Sequence, residues 1–247
     1  MQGLITLDFG NSNPHAGIFL KENSNWNLKK IFKLSELNKG LDELKLNPGN
    51  SSLVLSQVRS YDDELNVFLN EGYLLTRVKD YWKGGRFAGM PVHYAITIGE
   101  DRLIQAFYVY KKLKENVLLI DAGTFVTMDI ITPSGFQGGY IIPGLKNYLQ
   151  LFKQGELLQA FDIDQTIQQE LPQATSNAMS WSYYAFAALA QNLVKKYNIS
   201  KILITGGQGA EWSKMFVPLD LSSNIQLVPE LIHSSLHFWM TTQIEPL

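Results

Sequence analysis

The sequence predicts an α/β protein built on a duplicated unit, and three observations carry that expectation. A short apolar strand, Leu4-Ile5-Thr6-Leu7, runs straight into Asp8-Phe9-Gly10-Asn11-Ser12-Asn13. The same order returns at Val117-Leu118-Leu119-Ile120, which is followed by Asp121-Ala122-Gly123-Thr124. Elsewhere, short apolar runs alternate with apolar stripes at helical spacing. With 247 residues, the chain suits one large domain or two of about 115 to 130 residues. An acid-x-Gly turn alone is common in hairpins. Two copies, each directly after an apolar strand, point instead to phosphate and its cation. Glycine lets backbone N–H groups approach the oxygens, a hydroxyl adds a donor, and the carboxylate holds a metal. Two such turns facing each other across a cleft would clamp a nucleotide's phosphates from both sides.

Composition excludes several classes. Hydrophobic residues make up 45%, ample for a core. The formal charge of -2 and pI near 6.1 give no electrostatic reason to expect nucleic acid. The chain has no cysteine, which removes disulfides, thiolate metal sites and a cysteine nucleophile. No apolar run approaches the ~18 residues of a membrane helix, and no charged-then-apolar leader opens the chain. The expectation is a mature cytosolic protein.

In chain order, Leu4 to Leu7 is the first strand and His15 to Leu20 the second. Gly40 to Asn50 is polar and turn-rich and reads as a loop. Ser52 to Ser56 is a strand ending in Gln57-Val58-Arg59. Asp62 to Asn70 reads as a short helix with an acidic first turn. Tyr73 to Val78 is another strand. Lys79 to Pro91, basic and rich in glycine, is either a solvated loop or a flap over a substrate. Gly99-Glu100-Asp101-Arg102 opens a helix to about Lys114, with Leu103, Ala106, Phe107, Tyr110 and Leu113 on its apolar stripe. Asp101 there is favourable to the helix dipole. Beside Arg102 and the helix N–H groups it also suits a carboxylate pocket with a proton acceptor.

Phe125 to Ile131, carrying Thr127 and Asp129, follows the second acidic turn; Pro133-Ser134-Gly135 turns the chain into Gly138-Gly139-Tyr140-Ile141-Ile142-Pro143-Gly144. Lys146 to Gln169 reads as helical with interruptions. Thr175 to Tyr197 reads as one long helix, with Thr175 and Ser176 as caps or ligand contacts. Lys201 to Ile204 is a buried strand leading into Thr205-Gly206-Gly207, either a plain turn or a close approach to a nucleotide base or ribose. Gln226 to Pro229 is a last strand, and Leu231 to Thr242 a closing helix. Among the four histidines only His233 and His237 stand at i,i+4; with no acid between them they read as a helix face rather than a metal pair.

Taken together, the pieces DFGNSN (8–13), GEDR (99–102), DAGTFVTMD (121–129), GGYIIPGL (138–145), Thr175 ahead of a small-residue helix, and TGG (205–207) resemble the type III pantothenate kinases. These are members of the acetate and sugar kinase/Hsp70/actin superfamily. The resemblance implies two ribonuclease-H-like (actin-like ATPase) domains, at 1–115 and 116–247, with mixed sheets flanked by helices and an ATP cleft between them. It implies ATP-dependent phosphorylation of pantothenate to 4'-phosphopantothenate, the first step toward coenzyme A. By matching position, Asp8, Phe9, Gly10, Asn11, Ser12 and Asn13 would hold ATP phosphates, with Asp8 near magnesium. Thr124, Gly206 and Gly207 would meet ATP. Gly99, Glu100, Asp101 and Arg102 would contact pantothenate, with Asp101 as proton acceptor. Asp121 would bind a monovalent cation, potassium or ammonium. Thr175 would meet pantothenate, and a homodimer would complete the active sites from both subunits; neither nucleic acid nor a membrane is an expected partner.

The chain departs from the family pattern at four places. Ser12 stands for the usual threonine and keeps the hydroxyl. Tyr94 lies five residues before Gly99 rather than seven, which leaves its substrate contact open. Ser182 and Ser235 stand where glycines are usual. Two alternatives remain beside the kinase: another small hydroxylated acid or sugar as substrate, and a non-catalytic nucleotide-binding regulator. Every acid and hydroxyl needed for chemistry is present, which a pure binder does not require.

Overall fold

The computed structural model describes residues 2–60, 62–158, 167–168, 170–216 and 224–243. It divides into two units, one running to Lys112 and resuming at Glu230, the other covering Leu113–Pro229.

The first unit is built on β1 (Gln2–Phe9), β2 (His15–Glu22), β3 (Asn25–Lys33), β4 (Ser51–Gln57) and β5 (Leu75–Arg77), in the order β3-β2-β1-β4-β5. The second is built on β8 (Val117–Ala122), β9 (Phe125–Thr132), β10 (Gly135–Pro143), β11 (Lys201–Thr205) and β12 (Ile225–Leu227), in the order β10-β9-β8-β11-β12. Strand for strand the two sheets match. In each, the opening strand pairs antiparallel with the next and parallel with the fourth. This is the duplication that the repeated acidic turns imply, in the ribonuclease-H-like form that the family resemblance implies. Both opening strands lie at the centre of their sheets. That position explains their largely apolar runs, because a central strand covered on both faces has no exposed side to show. Leu4, Ile5, Leu7 and Phe9, like Val117, Leu118, Leu119 and Ile120, are buried.

The helices are α1 (Leu37–Glu43), α2 (Asp62–Asn70), α3 (Glu100–Lys112), α4 (Leu145–Phe152), α5 (Thr175–Trp181), α6 (Tyr184–Lys196), α7 (Gly209–Met215) and α8 (Leu231–Gln243). A small ribbon, β6 (Arg86–Phe87) with β7 (Met90–Pro91), organises the glycine-rich stretch expected as a loop. Trp82 in that stretch is buried, and its Nε1 donates to the Ile96 carbonyl at 2.9 Å.

The structure departs from the sequence reading at several elements. The strand β3, which widens the first hairpin into a three-stranded meander, has no counterpart in the sequence reading; its mostly exposed residues hide the pattern. Residues read as loop from Gly40 begin inside α1. Gly40 is a packing glycine there, since a Cβ would lie 2.6 Å from the Phe32 ring. The long helix from Thr175 is two helices. At the break, Tyr183 N, Ala185 N and Phe186 N each donate to a carbonyl three residues back, and Ser182 Oγ donates to Met179 O at 2.9 Å. Serine bonding back to its own helix competes with the α-helical ladder. The helix expected from Lys146 is described as α4 alone, and its continuation at 159–166 and 169 lies outside the described residues.

The division into units also differs from the boundary read in the sequence. The segment from Glu230, assigned by sequence to the second domain, joins the first. Its helix α8 is why. Trp239 stacks on Phe87 at 5.7 Å and meets Tyr81 edge-on at 5.1 Å; Phe238 meets Phe107 and Tyr108. His237 stacks on Phe19 at 4.3 Å and meets Trp26. Each large apolar side chain buried this way contributes roughly 1.5–3 kcal/mol. The second unit's core is separate: Leu118, Ile120, Val126 and Met128 pack against Tyr183, Ala187 and Ala190, with Trp212 and Phe216 behind. The small alanines of α6 permit the close approach of helix to sheet.

The α8 histidines tie this packing to pH. Burial lowers His233 to about 3 and His237 to about 4 from an ordinary 6.5, so both are neutral in the folded chain. As pH falls from 6.5 toward 4, the unfolded chain takes up protons that the folded chain refuses, so stability is full above 6.5 and drains away below it. His237→Phe, which keeps the ring stack, should flatten the fall in melting temperature between pH 6.5 and 4 and leave values above pH 7 nearly unchanged. An unaltered acid slope would show that His237 does not contribute.

Candidate active site

In the first unit, β1 and β4 run parallel and finish together, with Asp8 beside Ser56 and Phe9 beside Gln57. The carboxyl ends of parallel strands are where open α/β sheets bind ligands. The chain leaves β1 as Gly10-Asn11-Ser12-Asn13, with Asn11, Ser12 and Asn13 exposed. Phe9 buries its ring in the core, so only its main chain belongs to the loop. The end of β4 holds that loop. Val58 N donates to Phe9 O at 3.1 Å, and Arg59 Nη1 donates to Asn11 O at 3.2 Å.

The same strand end holds the GEDR segment. Glu100 Oε2 accepts the Gln57 backbone N–H at 3.3 Å. Desolvation pushes the Glu100 carboxyl up to about 7, against the pull of backbone N–H groups at Gln57 and Lys79 and of the Lys79 charge. Asp101 is raised as well, chiefly by burial; its Oδ1 accepts the Arg102 N–H at 2.8 Å, and the Arg102 charge opposes the rise. A Cβ on Gly99 would run into Asp101 Oδ1, so glycine makes room for that carboxylate. Arg102 is buried, its Cζ 5.0 Å from the centre of the Tyr94 ring. The shortened spacing before Gly99 therefore still delivers Tyr94 to the guanidinium. Residues 8–13 and 99–102 thus meet at one strand end, through Gln57, Val58 and Arg59.

The second unit repeats the device. β8 and β11 are parallel, and Thr205 pairs with Asp121. The Asp121-Ala122-Gly123-Thr124 turn is gripped by two glycine loops. Gly206, at φ +85°, lies so close that a Cβ would sit 2.6 Å from Asp121 Oδ1 and 2.7 Å from the Ala122 carbonyl. Gln208 N donates to Ala122 O at 2.9 Å. From the other side, Gly144 N donates to Thr124 O at 3.0 Å, and Asn147 Nδ2 donates to the same oxygen at 2.9 Å. Asn147 had no signal in the sequence; it is one polar residue in α4. Thr175, at the first turn of α5, is exposed, and the cap position is Ala174 with no side-chain bond. The capping reading of Thr175 is therefore not realised.

His15 was not singled out by sequence. It stands opposite Asp8 across β1 and β2, with Nε2 3.6 Å from Asp8 Oδ2. The signal was available in the hairpin register, which fixes cross-strand partners. Among the described residues, no group of three or more His, Cys, Asp or Glu side chains is gathered as for a metal.

Chemically, the first unit offers an exposed backbone loop for an anion, one half-buried carboxylate beside it, and a helix mouth with a raised carboxyl next to a buried cation. The second offers a carboxylate against main-chain carbonyl oxygen and a hydroxyl-bearing glycine turn. These are parts for charge management, and phosphoryl transfer depends on charge management and placement more than on covalent help.

Comparison with known proteins agrees. A family model for type III pantothenate kinase matches residues 4–196. A type III pantothenate kinase of Sulfurimonas denitrificans is 25% identical over 221 residues, covering 88% of this chain and 91% of that one. That of Geobacter sulfurreducens is 24% identical over 230 residues, covering 83% and 87%. Among solved structures, a conserved Campylobacter jejuni protein described as a candidate Baf family transcriptional activator superposes with a TM-score of 0.62 at 20% identity, covering 97% and 98%. A Sinorhizobium meliloti protein described as a candidate 2-dehydro-3-deoxygalactonokinase gives 0.57 at 10% identity, covering 99% and 100%. At these identities the two structures speak for the fold alone.

The Gly206 contact yields a paired prediction. Gly206→Ala places a side chain in the left-handed region and against the Ala122 backbone, and should lower stability by about 1–3 kcal/mol in thermal unfolding. Gly207→Ala, with nothing within 4 Å of its Cβ, should leave the melting temperature unchanged. Equal effects would mean that the fit around Gly206 is not what holds the loop.

Proposed function

Since the chain belongs to the type III pantothenate kinase family, we propose that it transfers the γ-phosphoryl group of ATP to the primary hydroxyl of pantothenate. The product would be 4'-phosphopantothenate, at the entry to coenzyme A synthesis. The observation that carries this reading is the junction at the end of β4. It holds the Asp8–Asn13 loop with one set of bonds and the GEDR helix mouth with another.

In this reading the backbone of Asp8 to Asn13, with the Ser12 hydroxyl, receives ATP phosphates. Thr124, Gly206 and Gly207 serve the nucleotide from the second unit. Asp101 accepts the hydroxyl proton as the new O–P bond forms and the bond to the β-phosphate breaks. Burial raises its carboxyl, which favours its taking up a proton. Arg102 brings positive charge for the substrate carboxylate, with Tyr94 covering its face and Gly99 leaving room for Asp101. Glu100 has an oxygen committed to Gln57 and acts on this set by bracing the strand end. Thr175, its hydroxyl not used for capping, offers a donor to pantothenate from a homodimeric arrangement.

Magnesium fits Asp8. That ion commonly keeps several waters and takes one or two carboxylates plus substrate phosphates, so a single carboxylate at the loop is enough. Potassium or ammonium fits Asp121, where Gly206 leaves a space walled by carboxylate and main-chain carbonyl oxygen. Bound there, these ions would offset phosphate charge. Among the described residues, no helix is long and apolar enough to cross a membrane.

The test is ADP release by the purified chain with ATP, magnesium and potassium, with and without pantothenate. Pantothenate-dependent ADP is the expected result. Asp101→Asn should lower kcat by at least about 10²-fold with an unchanged melting curve; undiminished turnover would remove Asp101 as the base. ATP binding without phosphorylation of pantothenate or any related hydroxy acid would favour a non-catalytic regulator.

A further inference from the structure

The contact between Asp8 and His15 is backed by a buried assembly that the reaction as described leaves unused. His233 of α8 lies over the first hairpin of the sheet. Its Nδ1 is 2.7 Å from Thr6 Oγ, and Thr6 Oγ donates to Gly17 O at 3.1 Å. Because the Thr6 proton is spent on that carbonyl, His233 donates through Nδ1, and its buried Nε2 carries only a lone pair. Gly17 is required: a Cβ would lie 2.8 Å from the His233 ring and 2.8 Å from Thr6 Oγ. The His233 ring then packs on His15, with centroids 4.8 Å apart and planes tilted by 56°. Nδ1 of His15 is buried without a partner of good hydrogen-bond geometry, and Nε2 is the nitrogen that faces Asp8.

We propose that His15 is a positioning residue for Asp8, held from behind by His233, and that it sets the orientation in which the carboxylate meets the cation accompanying ATP. The proposal rests on the reading of Asp8 given above. Its physical content lies in the placement of a donor: with its proton on Nε2, the imidazole opposite Asp8 presents an N–H that aims the carboxylate and leaves its other lone pairs to the cation. Partners of this kind orient metal-binding carboxylates and histidines in many proteins, and their loss typically costs about 10- to 100-fold in metal affinity. The Nε2 to Oδ2 distance of 3.6 Å is just beyond a hydrogen bond. Such contacts often tighten only when the ligand is bound.

The test is calorimetric titration of the full chain with a non-hydrolysable ATP analogue, with and without magnesium, and separately with pantothenate. His15→Ala should weaken magnesium-dependent nucleotide binding about tenfold. It should leave magnesium-free nucleotide and pantothenate binding within about twofold, because only the cation term is touched. His15→Gln, which can present a side-chain N–H, should recover most of the loss; His15→Phe, which fills the space without a donor, should not. Unchanged magnesium-dependent affinity in His15→Ala overturns the proposal, as does equal weakening of all three titrations or full recovery by phenylalanine. Asp8→Asn in the same titrations separates the premise. If it too leaves magnesium-dependent binding intact, the role given to Asp8 fails; if it abolishes that binding while His15→Ala does not, only the positioning role fails.

Discussion

The arrangement depends on one constraint: an acid sits where a central strand stops, and a neighbouring parallel strand stops at the same level. Hydrogen-bonded register between β1 and β4 fixes this in one unit, and between β8 and β11 in the other. Past that level the ladder between the two parallel strands stops, so backbone groups of the following turn lie outside the sheet. Each unit then secures its turn from the parallel neighbour. Val58 and Arg59 do so at the first turn, Gly206 and Gln208 at the second.

Charge is handled by burial as much as by pairing. Glu100 and Asp101 sit at the mouth of α3, where the helix field favours anions, yet desolvation raises both. The histidines behind Asp8 are lowered by burial. In the first unit, carboxyls raised by burial are thereby grouped at one helix mouth, and buried imidazoles lie behind Asp8.

Much of this could be read from the chain alone, because the informative residues are local. Asp8 and Gly10, or Asp121 and Gly123, lie within one turn of each other, and the apolar runs before them need a central strand. The duplication followed, and so did the GEDR helix. What escaped is non-local. Strand β3 alternates only over Asn25 to Lys29; its register against β2 then shifts, and its one strongly buried residue, Phe32, falls after the break. The break after Trp181 turns on a single serine hydroxyl choosing a carbonyl three residues back. The pairing of His15 with Asp8 requires the hairpin's register, and Asn147 reaches Thr124 only after α4 has docked. The return of α8 to the first sheet required knowing that its aromatic face matches Phe87, Phe107 and Phe19 rather than the second core. Tyr94 shows the converse: its count before Gly99 differs from the family pattern, yet the ring still arrives over Arg102.

The placement of α8 also bears on biosynthesis. Translation delivers β1 to β5 first, then the whole of the second unit, and only afterwards the helix that lies over Gly17 and Thr6. While the second unit is still emerging from the ribosome, the first sheet waits with an uncovered aromatic face. A nascent chain of this design keeps that face open to solvent until its closing segment has docked.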